Sequence, residues 1–217
     1  MSHNPPSAPD LAARIIGHKD GTTALHQAAK EGTLQNLSGI TAELLATVKD
    51  NHGGTPLHLA AYDGHLDQVP GVTAAFLASV KDNDGKTPLH DAAYHGHLDQ
   101  IPGVTAELLA TVKDNYGCTP LHHAANCGHL DQIPGVTAAF LTTVKDNDGK
   151  TPLHDAAWRG HLDQIPGVTA DLLATVKNNH GETPLHVAAR RGYLDQITDL
   201  TMTLRNSRTL PGHENLR

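Results

Sequence analysis

The amino-acid sequence predicts an all-α helical solenoid built from six tandem repeats. The first observation is a period of 32 residues, because the motif TPLH begins at positions 55, 87, 119, 151 and 183 and a TALH variant begins at 23. The second is an identical stretch, DNDGKTPLHDAA, at 82–93 and 146–157. The third is an aromatic content of only 3%, although thick cores rely on large aromatic side chains. Self-similarity at a fixed period indicates a stack of structural units.

Each repeat is predicted to begin with a short inner helix. In the third repeat, Thr87 is suited to cap the helix and Pro88 to its first turn, where a missing N–H costs nothing. Leu89 and the two alanines that follow form an apolar stripe, and Gly96 ends the helix. We expect a helix of about nine residues, which is too short to be stable alone and must pack against its neighbours.

A proline interrupts the second half of the repeat. Pro102 disfavours helical geometry at Ile101, so the chain is expected to leave the helix there after a brief turn. Thr105 can cap a second, outer helix, and a short polar β-turn such as KDNYG then leads into the next repeat. The predicted apolar face of the outer helix consists of Val104, Leu108, Leu109 and Val112. Equivalent prolines, which predict an interrupted outer row along the array, are Pro70, Pro134 and Pro166.

The repeats are predicted to occupy most of the chain between two short end segments. The predicted division is 1–17 for an N-terminal tail and capping helix, 18–208 for six repeats and 209–217 for a C-terminal tail. Leu11, Ile15 and Ile16 stand at helical spacing and predict the capping helix. Arg205 and Arg208 replace the apolar residues of earlier repeats, as expected for a last repeat with nothing packed on its outer side.

Composition excludes several classes of function. A net charge of −7 and a pI near 6.1 argue against a nucleic-acid partner. No apolar run approaches the ~18–20 residues of a membrane span, and the N-terminus lacks the pattern of a secretory signal. The two cysteines, Cys118 and Cys127, fit a reducing compartment, so we expect a cytoplasmic protein.

The repeated pattern D-N-x-G-x-T-P-L-H-x-A-A-x-x-G-H-L-D resembles the ankyrin repeat. The chain departs from that family in its period of 32 rather than about 33 residues, and in the proline of its outer row. The resemblance implies that the histidine of TPLH serves the hydrogen bonds of the turn. It also implies a protein-binding array whose concave face, formed by inner helices and turn tips, is the binding surface. The near-identical units are similar to arrays of bacteria that live with host cells, which implies an effector delivered into a host cell as an alternative.

Positions that differ between repeats are free to carry function. Four of the seven aromatic residues stand at such positions, at the inner-helix end or the turn tip, and exposed aromatics are typical of interface hot spots. The position before the helix-ending glycine changes from acidic to basic along the chain, so a partner is expected to bind in one orientation. The predicted binding residues are Tyr62, Asp63, Tyr94, His95, Tyr116, Asn126, Trp158, Arg159, Arg190 and Arg191.

No metal site or cofactor is predicted. Ten of the 17 histidines recur at fixed places in the repeat and are interpreted as scaffold. Asp63, His95 and Cys127 form one conceivable metal-binding set, but neighbouring helices lie about 10 Å apart. Zinc ligands must approach one ion to within ~2.0–2.3 Å, so this set is a minor alternative. The DNDG turn lacks an acidic residue at the first position of a calcium loop.

The sequence also predicts no enzyme. Adjacent pairs such as His90–Asp91 and His154–Asp155 do not face each other on a helix. Cys118 and Cys127 are interpreted as ordinary free thiols, with reactive thiols as the alternative. The predicted function is therefore a monomeric scaffold that binds another protein. A structural spacer and a self-associating array are the alternatives from other classes.

Overall fold

The computed structural model describes residues 19–197, in which two rows of short helices are stacked repeat on repeat. The inner row comprises Ala24–Lys30, Pro56–Asp63, Pro88–His95, Pro120–Cys127, Pro152–Arg159 and Pro184–Arg191. The outer row comprises Ala42–Thr47, Ala74–Leu77, Ala106–Thr111, Ala138–Leu141 and Ala170–Thr175. Between the rows lie 3-10 turns at Leu34–Asn36, Leu66–Gln68, Leu98–Gln100, Leu130–Gln132, Leu162–Gln164 and Leu194–Gln196. These residues contain no β-strand, and the predicted all-α solenoid is confirmed.

The inner helix forms as the sequence predicts. In the third repeat Thr87 is the extended N-cap, with φ −116° and ψ 162°, and Pro88 is the first of eight helical residues. Gly96 ends the helix in the left-handed region at φ 76°, which costs a glycine little. Leu89 is completely buried, as are the two alanines of the stripe, because inner helices of neighbouring repeats pack against each other. The small alanines permit this close approach.

The break before Pro102 is also present. The 3-10 turn ends at Gln100, and the extended backbone of Ile101, φ −105° and ψ 113°, matches the restriction on a residue before proline. Thr105 caps the outer helix, and its Oγ1 accepts a hydrogen bond from the Leu108 amide at 3.2 Å. The proline therefore separates a single turn from the outer helix proper.

The predicted apolar face of the outer row packs against the core, but it extends beyond the helix at both ends. Leu108 and Leu109 are helical, and Leu109 is completely buried. Val112 lies just beyond the helix with an extended backbone, φ −82° and ψ 106°, and Val104 precedes the cap. Val112 is nevertheless buried, because the extended chain turns its side chain toward the core.

Three ladders of side-chain hydrogen bonds join each repeat to the next. Asn115 Nδ2 donates to the Asn83 carbonyl at 3.0 Å, and Lys81 Nζ donates to the Lys113 carbonyl at 2.9 Å. The third ladder uses the TPLH histidine. His90 Nδ1 accepts from the Thr87 amide at 3.0 Å, so Nε2 carries the proton and donates to the Cys118 carbonyl at 3.2 Å. The ladders recur along the array and hold the turns in register.

The ends of the array lie outside the described residues. The predicted capping helix with Leu11, Ile15 and Ile16, and the predicted polar end with Arg205 and Arg208, both fall there. The division at residues 18 and 208 therefore stays a prediction.

Candidate functional site

The inner-helix ends carry most of the exposed aromatic surface in the described residues. The first five inner helices turn a Leu-Ala-Ala stripe to the core, so the residue two positions before the terminal glycine faces outward. Tyr62, Tyr94 and Trp158 occupy this position and are 47%, 42% and 41% exposed. We call the surface formed by these side chains and their neighbours on the inner helices the inner face.

Contacts between repeats join the predicted residues of the inner face. The ring centroids of Tyr62 and His95 lie 3.7 Å apart. Two repeats further along the array, the Arg159 Nε donates to the Asn126 Oδ1 at 2.9 Å. In each pair, a residue one position before the helix-ending glycine contacts a residue of the preceding repeat that stands two positions before its own helix-ending glycine. The two predicted columns therefore interleave along the inner face into one strip, in which Asn126 stands between Tyr94 and Trp158.

Trp158 anchors the C-terminal part of the strip. The Arg191 guanidinium carbon lies 4.0 Å from the centroid of the indole, which is cation–π geometry, and Arg191 Nε donates to the Trp158 carbonyl at 3.2 Å. Arg190 lies farther from the same ring, at 5.7 Å, and forms an ion pair with Glu182. The arginines predicted to supply free charge are thus partly committed to partners within the chain.

Two predicted residues stand apart from the aromatic strip. Tyr116 is 65% exposed in a turn, where its amide donates to Asp114 Oδ1 at 2.9 Å. Among the ring contacts of residues 19–197, none joins Tyr116 to another predicted residue. Asp63 is half-buried, and its Oδ2 is enclosed without a hydrogen-bond partner in the described structure.

Sequence reasoning missed one variable column of the inner face. It lies three residues before the predicted aromatic position and consists of Gln27, Leu59, Asp91, His123, Asp155 and Val187. The same comparison of repeats could have found it, because its identity changes from unit to unit. Residues three apart share one face of a helix, so this column lies beside the aromatic strip. We call this column the floor of the inner face.

Two cavities open on the inner face around Asp155. The larger, of about 350 Å³, is lined by Asn126, Asp155, Trp158, Glu182 and Arg190 among others. The smaller, of about 190 Å³, shares Asp155 and Asn126 with it and also touches Tyr94 and His123. Asp155 therefore stands between two concavities that run across repeats three to six.

Burial perturbs the ionisation of this floor. It raises the pKa of Asp91 to about 7, opposed by the positive charge of Lys86. It also raises the pKa of Asp155 to about 7, with a further contribution from the negative charge of Asp146. Burial lowers the pKa of His123 to about 4, so this imidazole is neutral at physiological pH. The floor thus holds two carboxyl groups for which ionisation is costly.

We expect the double variant Asp91→Asn, Asp155→Asn to be more stable than wild type at about pH 8, by about 1–3 kcal/mol. Each carboxyl has a pKa near 7 in the fold, above its usual 3.8, so the folded state favours the protonated form. The stability that the two protonated carboxyl groups contribute is fully present below about pH 4 and is lost as the pH rises through 7. Asparagine does not ionise, so the variant keeps its stability.

Denaturant unfolding of both proteins at several pH values, followed by circular dichroism, measures this difference. The gain in unfolding free energy should be close to zero at about pH 4 and grow up to about pH 8. The histidines titrate in both proteins, so their contribution cancels. A gain that is independent of pH would contradict the assignment.

The described residues provide no arrangement suited to a metal ion. No group of three or more histidine, cysteine or acidic side chains within 19–197 could hold one, and this includes Asp63, His95 and Cys127. The Cys118 thiol has a pKa raised to about 12, chiefly by burial and then by the charges of Asp114 and Asp146. It is therefore a neutral thiol near pH 7, which opposes the alternative of a reactive Cys118.

Stacked helix pairs, a 32-residue period and hydrogen-bonded turns define the class of this protein as a helical-repeat solenoid. The family model described as ankyrin repeats (3 copies) matches residues 7–70, 71–134, 103–167 and 137–202. The chain belongs to the ankyrin-repeat family, whose repeats are generally protein–protein interaction modules. No curated protein matches the chain. Within the described residues, no helix combines the length and the apolar character needed to cross a membrane.

Proposed function

We propose that this chain is a non-enzymatic scaffold that binds another protein through its inner face. The observation that carries the proposal is the row of exposed aromatic side chains at three inner-helix ends, in which Asn126 stands between Tyr94 and Trp158. Tyr62, Tyr94 and Trp158 expose large rings in three different repeats, and exposed tyrosine and tryptophan are the residues most enriched in interface hot spots. Contacts between repeats pre-organise the strip, which lowers the entropic cost of binding.

The turn tips and the charged ends extend the proposed surface. Tyr116 presents its ring from a turn at the side of the inner helices. Asp63 lies at the N-terminal end of the strip, and Arg159 and Arg191 lie at the C-terminal end. This polarity supports a partner that binds in one orientation. The free thiols Cys118 and Cys127 support a reducing, cytoplasmic location for the scaffold, which we propose to be monomeric.

We expect the triple variant Tyr62→Ala, Tyr94→Ala, Trp158→Ala to lose at least about thirtyfold in affinity for the partner, because one hot spot contributes about 2 kcal/mol. Affinity capture from cytosolic lysate with the wild-type protein identifies the partner, and calorimetry with the purified partner measures the loss. The variant should stay folded, because each replaced ring is exposed. Circular dichroism checks this.

A matched control changes three exposed residues of the outer row, Glu43→Ala, Glu107→Ala and Asp171→Ala. This control should retain the partner with an affinity close to that of wild type. A partner that the aromatic variant holds as tightly as wild type does, and that the control loses, would move the binding site to the outer row. Capture of no protein would favour the structural spacer.

A further inference from the structure

The carboxyl group of Asp155 has no hydrogen-bond or ion-pair partner among the described residues. It projects from the middle of an inner helix into the wall between the two cavities of the inner face. Within residues 19–197 it accepts no hydrogen bond and belongs to no ion pair. A partly buried carboxylate in this state has lost hydration without gaining a partner, which is unfavourable. A ligand that brings the missing donor would remove that cost.

The cations near Asp155 are committed elsewhere. Lys150 Nζ lies 3.4 Å from Asp148 Oδ2 on the exposed side of the turn. Arg190 forms its ion pair with Glu182 on the next repeat. Arg159 reaches back to Asn126. Each of these cations thus has a partner other than Asp155, whereas the Asp155 carboxyl that lines the larger cavity has none among the described residues.

The indole of Trp158 makes the same cavity suitable for a planar cation. Trp158 lies one turn beyond Asp155 on the same helix, and both side chains line the cavity of about 350 Å³. The guanidinium of Arg191 already packs against this ring at 4.0 Å. About two-fifths of the Trp158 side chain is still exposed, at 41%, so the ring can form part of the wall for an incoming group.

We propose that the larger cavity of the inner face receives an arginine side chain of the partner protein, whose guanidinium pairs with the Asp155 carboxylate beside the Trp158 indole. The inference rests on the proposed function, since it names the chemistry by which the inner face recognises its partner. A guanidinium presents a planar fork of donors that matches a carboxylate and stacks on an aromatic face. A carboxylate ligand would be repelled by Asp155, and a neutral side chain would leave its charge uncompensated.

Charged and titratable groups surround Asp155 from three repeats. They are Cys118, His122 and His123 from the fourth repeat, Asp146, Lys150, His154 and Arg159 from the fifth, and Glu182 and Arg190 from the sixth. Burial lowers the pKa of His122 and of His123 to about 4 and also lowers that of His154, so the three imidazoles stay neutral near pH 7. Asp155, with a pKa raised to about 7, is the group of this set expected to change charge between pH 6 and 8. Arginine binding should therefore strengthen as the pH rises through 7.

The single tryptophan of the chain provides the readout, because its fluorescence reports only on Trp158. The 217-residue chain is titrated with the blocked tripeptide Gly-Arg-Gly, and separately with Gly-citrulline-Gly, in which a neutral urea replaces the guanidinium. We expect saturable binding of the arginine peptide, at least about tenfold tighter than the citrulline peptide, because a charge-assisted bidentate pair is lost in the latter. The affinity should fall about tenfold from about pH 8 to about pH 6, as Asp155 is protonated.

Asp155→Asn should reduce the affinity for the arginine peptide to within about twofold of that for the citrulline peptide, and should abolish its pH dependence. The control is Asp171→Asn, which makes the same change at an exposed position of the outer row. Asp171 lies outside the inner face and does not line the larger cavity, so this variant should bind as wild type does. Equal binding of the two peptides to wild type, or unchanged binding by Asp155→Asn, would overturn the proposal.

The titration is independent of the partner-capture experiment. Failed capture with a positive titration would contradict the proposed function and support the arginine site. Successful capture with a negative titration would overturn the arginine site and leave the proposed function standing.

Discussion

Replacing His122 with alanine is expected to lower the free energy of unfolding by about 3–5 kcal/mol, because it strands buried hydrogen-bonding groups in two repeats. His122 is buried, and its Nδ1 accepts from the Thr119 amide at 3.1 Å. Its Nε2 donates to the Lys150 carbonyl of the next turn at 3.2 Å. Burial lowers the pKa of His122 to about 4, so the neutral ring keeps both roles near pH 7. Alanine satisfies neither backbone group.

The neighbouring histidine is a matched control for this prediction. His123 stands on the same helix, so His123→Ala changes the same residue type with nearly the same effect on helix propensity. Its ring lies on the inner face and makes edge contacts with His90 and Tyr94. It takes no part in the hydrogen-bond ladders between the described repeats. We expect a loss of at most about 1 kcal/mol for His123→Ala. Guanidinium unfolding followed by circular dichroism compares the two variants, and equal losses would show that the ladder is not a principal source of stability.

Gly117→Ala is expected to be the second severe change, with a loss of at least about 3 kcal/mol, because strain and collision act together at this turn. Gly117 has φ 77°, a conformation that alanine adopts only at a cost. A Cβ atom there would lie 2.4 Å from Asn147 Oδ1 and 2.7 Å from the Asn147 amide nitrogen. That amide donates to the Tyr116 carbonyl at 3.0 Å, so Asn147 cannot move away without breaking contacts between repeats.

Gly103→Ala separates strain from collision. Gly103 has φ 81°, but a Cβ atom there would meet nothing within 4 Å. We expect this variant to lose only the conformational term of about 1–2 kcal/mol. Unfolding midpoints of the two variants under the same conditions give the collision term by difference. Similar midpoints would mean that the stacked turns adjust freely, which would also contradict a rigid, pre-organised inner face.

Much of the fold could be predicted because it depends on local chemistry that every repeat restates. Thr87, Pro88 and Gly96 specify the inner helix through capping, a fixed φ and a left-handed end, and none of these requires knowledge of a distant partner. Pro102 likewise specifies the break in the outer row through its effect on Ile101. The exception is Val112, whose helical spacing predicted a helical residue although the chain there is extended and buried.

The candidate site depended more on tertiary structure. The repeat comparison identified the exposed positions of Tyr62, Tyr94 and Trp158, since a position that the stack does not need can vary. It could not show that Arg190 pairs with Glu182 or that Arg191 covers part of the Trp158 ring, because those contacts depend on how side chains meet across neighbouring turns and helices.

The sequence by itself therefore determined the repeat, its caps, its break and the positions free to vary, since these follow from residues adjacent in the chain. Only the tertiary structure decided which variable residues meet. Residues about 32 positions apart become neighbours when the helices stack, and the Arg159–Asn126 and Arg191–Trp158 contacts arise in this way. The cavity around Asp155 has the same origin, because its walls come from three consecutive repeats and its unpaired carboxyl is defined by what the surrounding cations already bind.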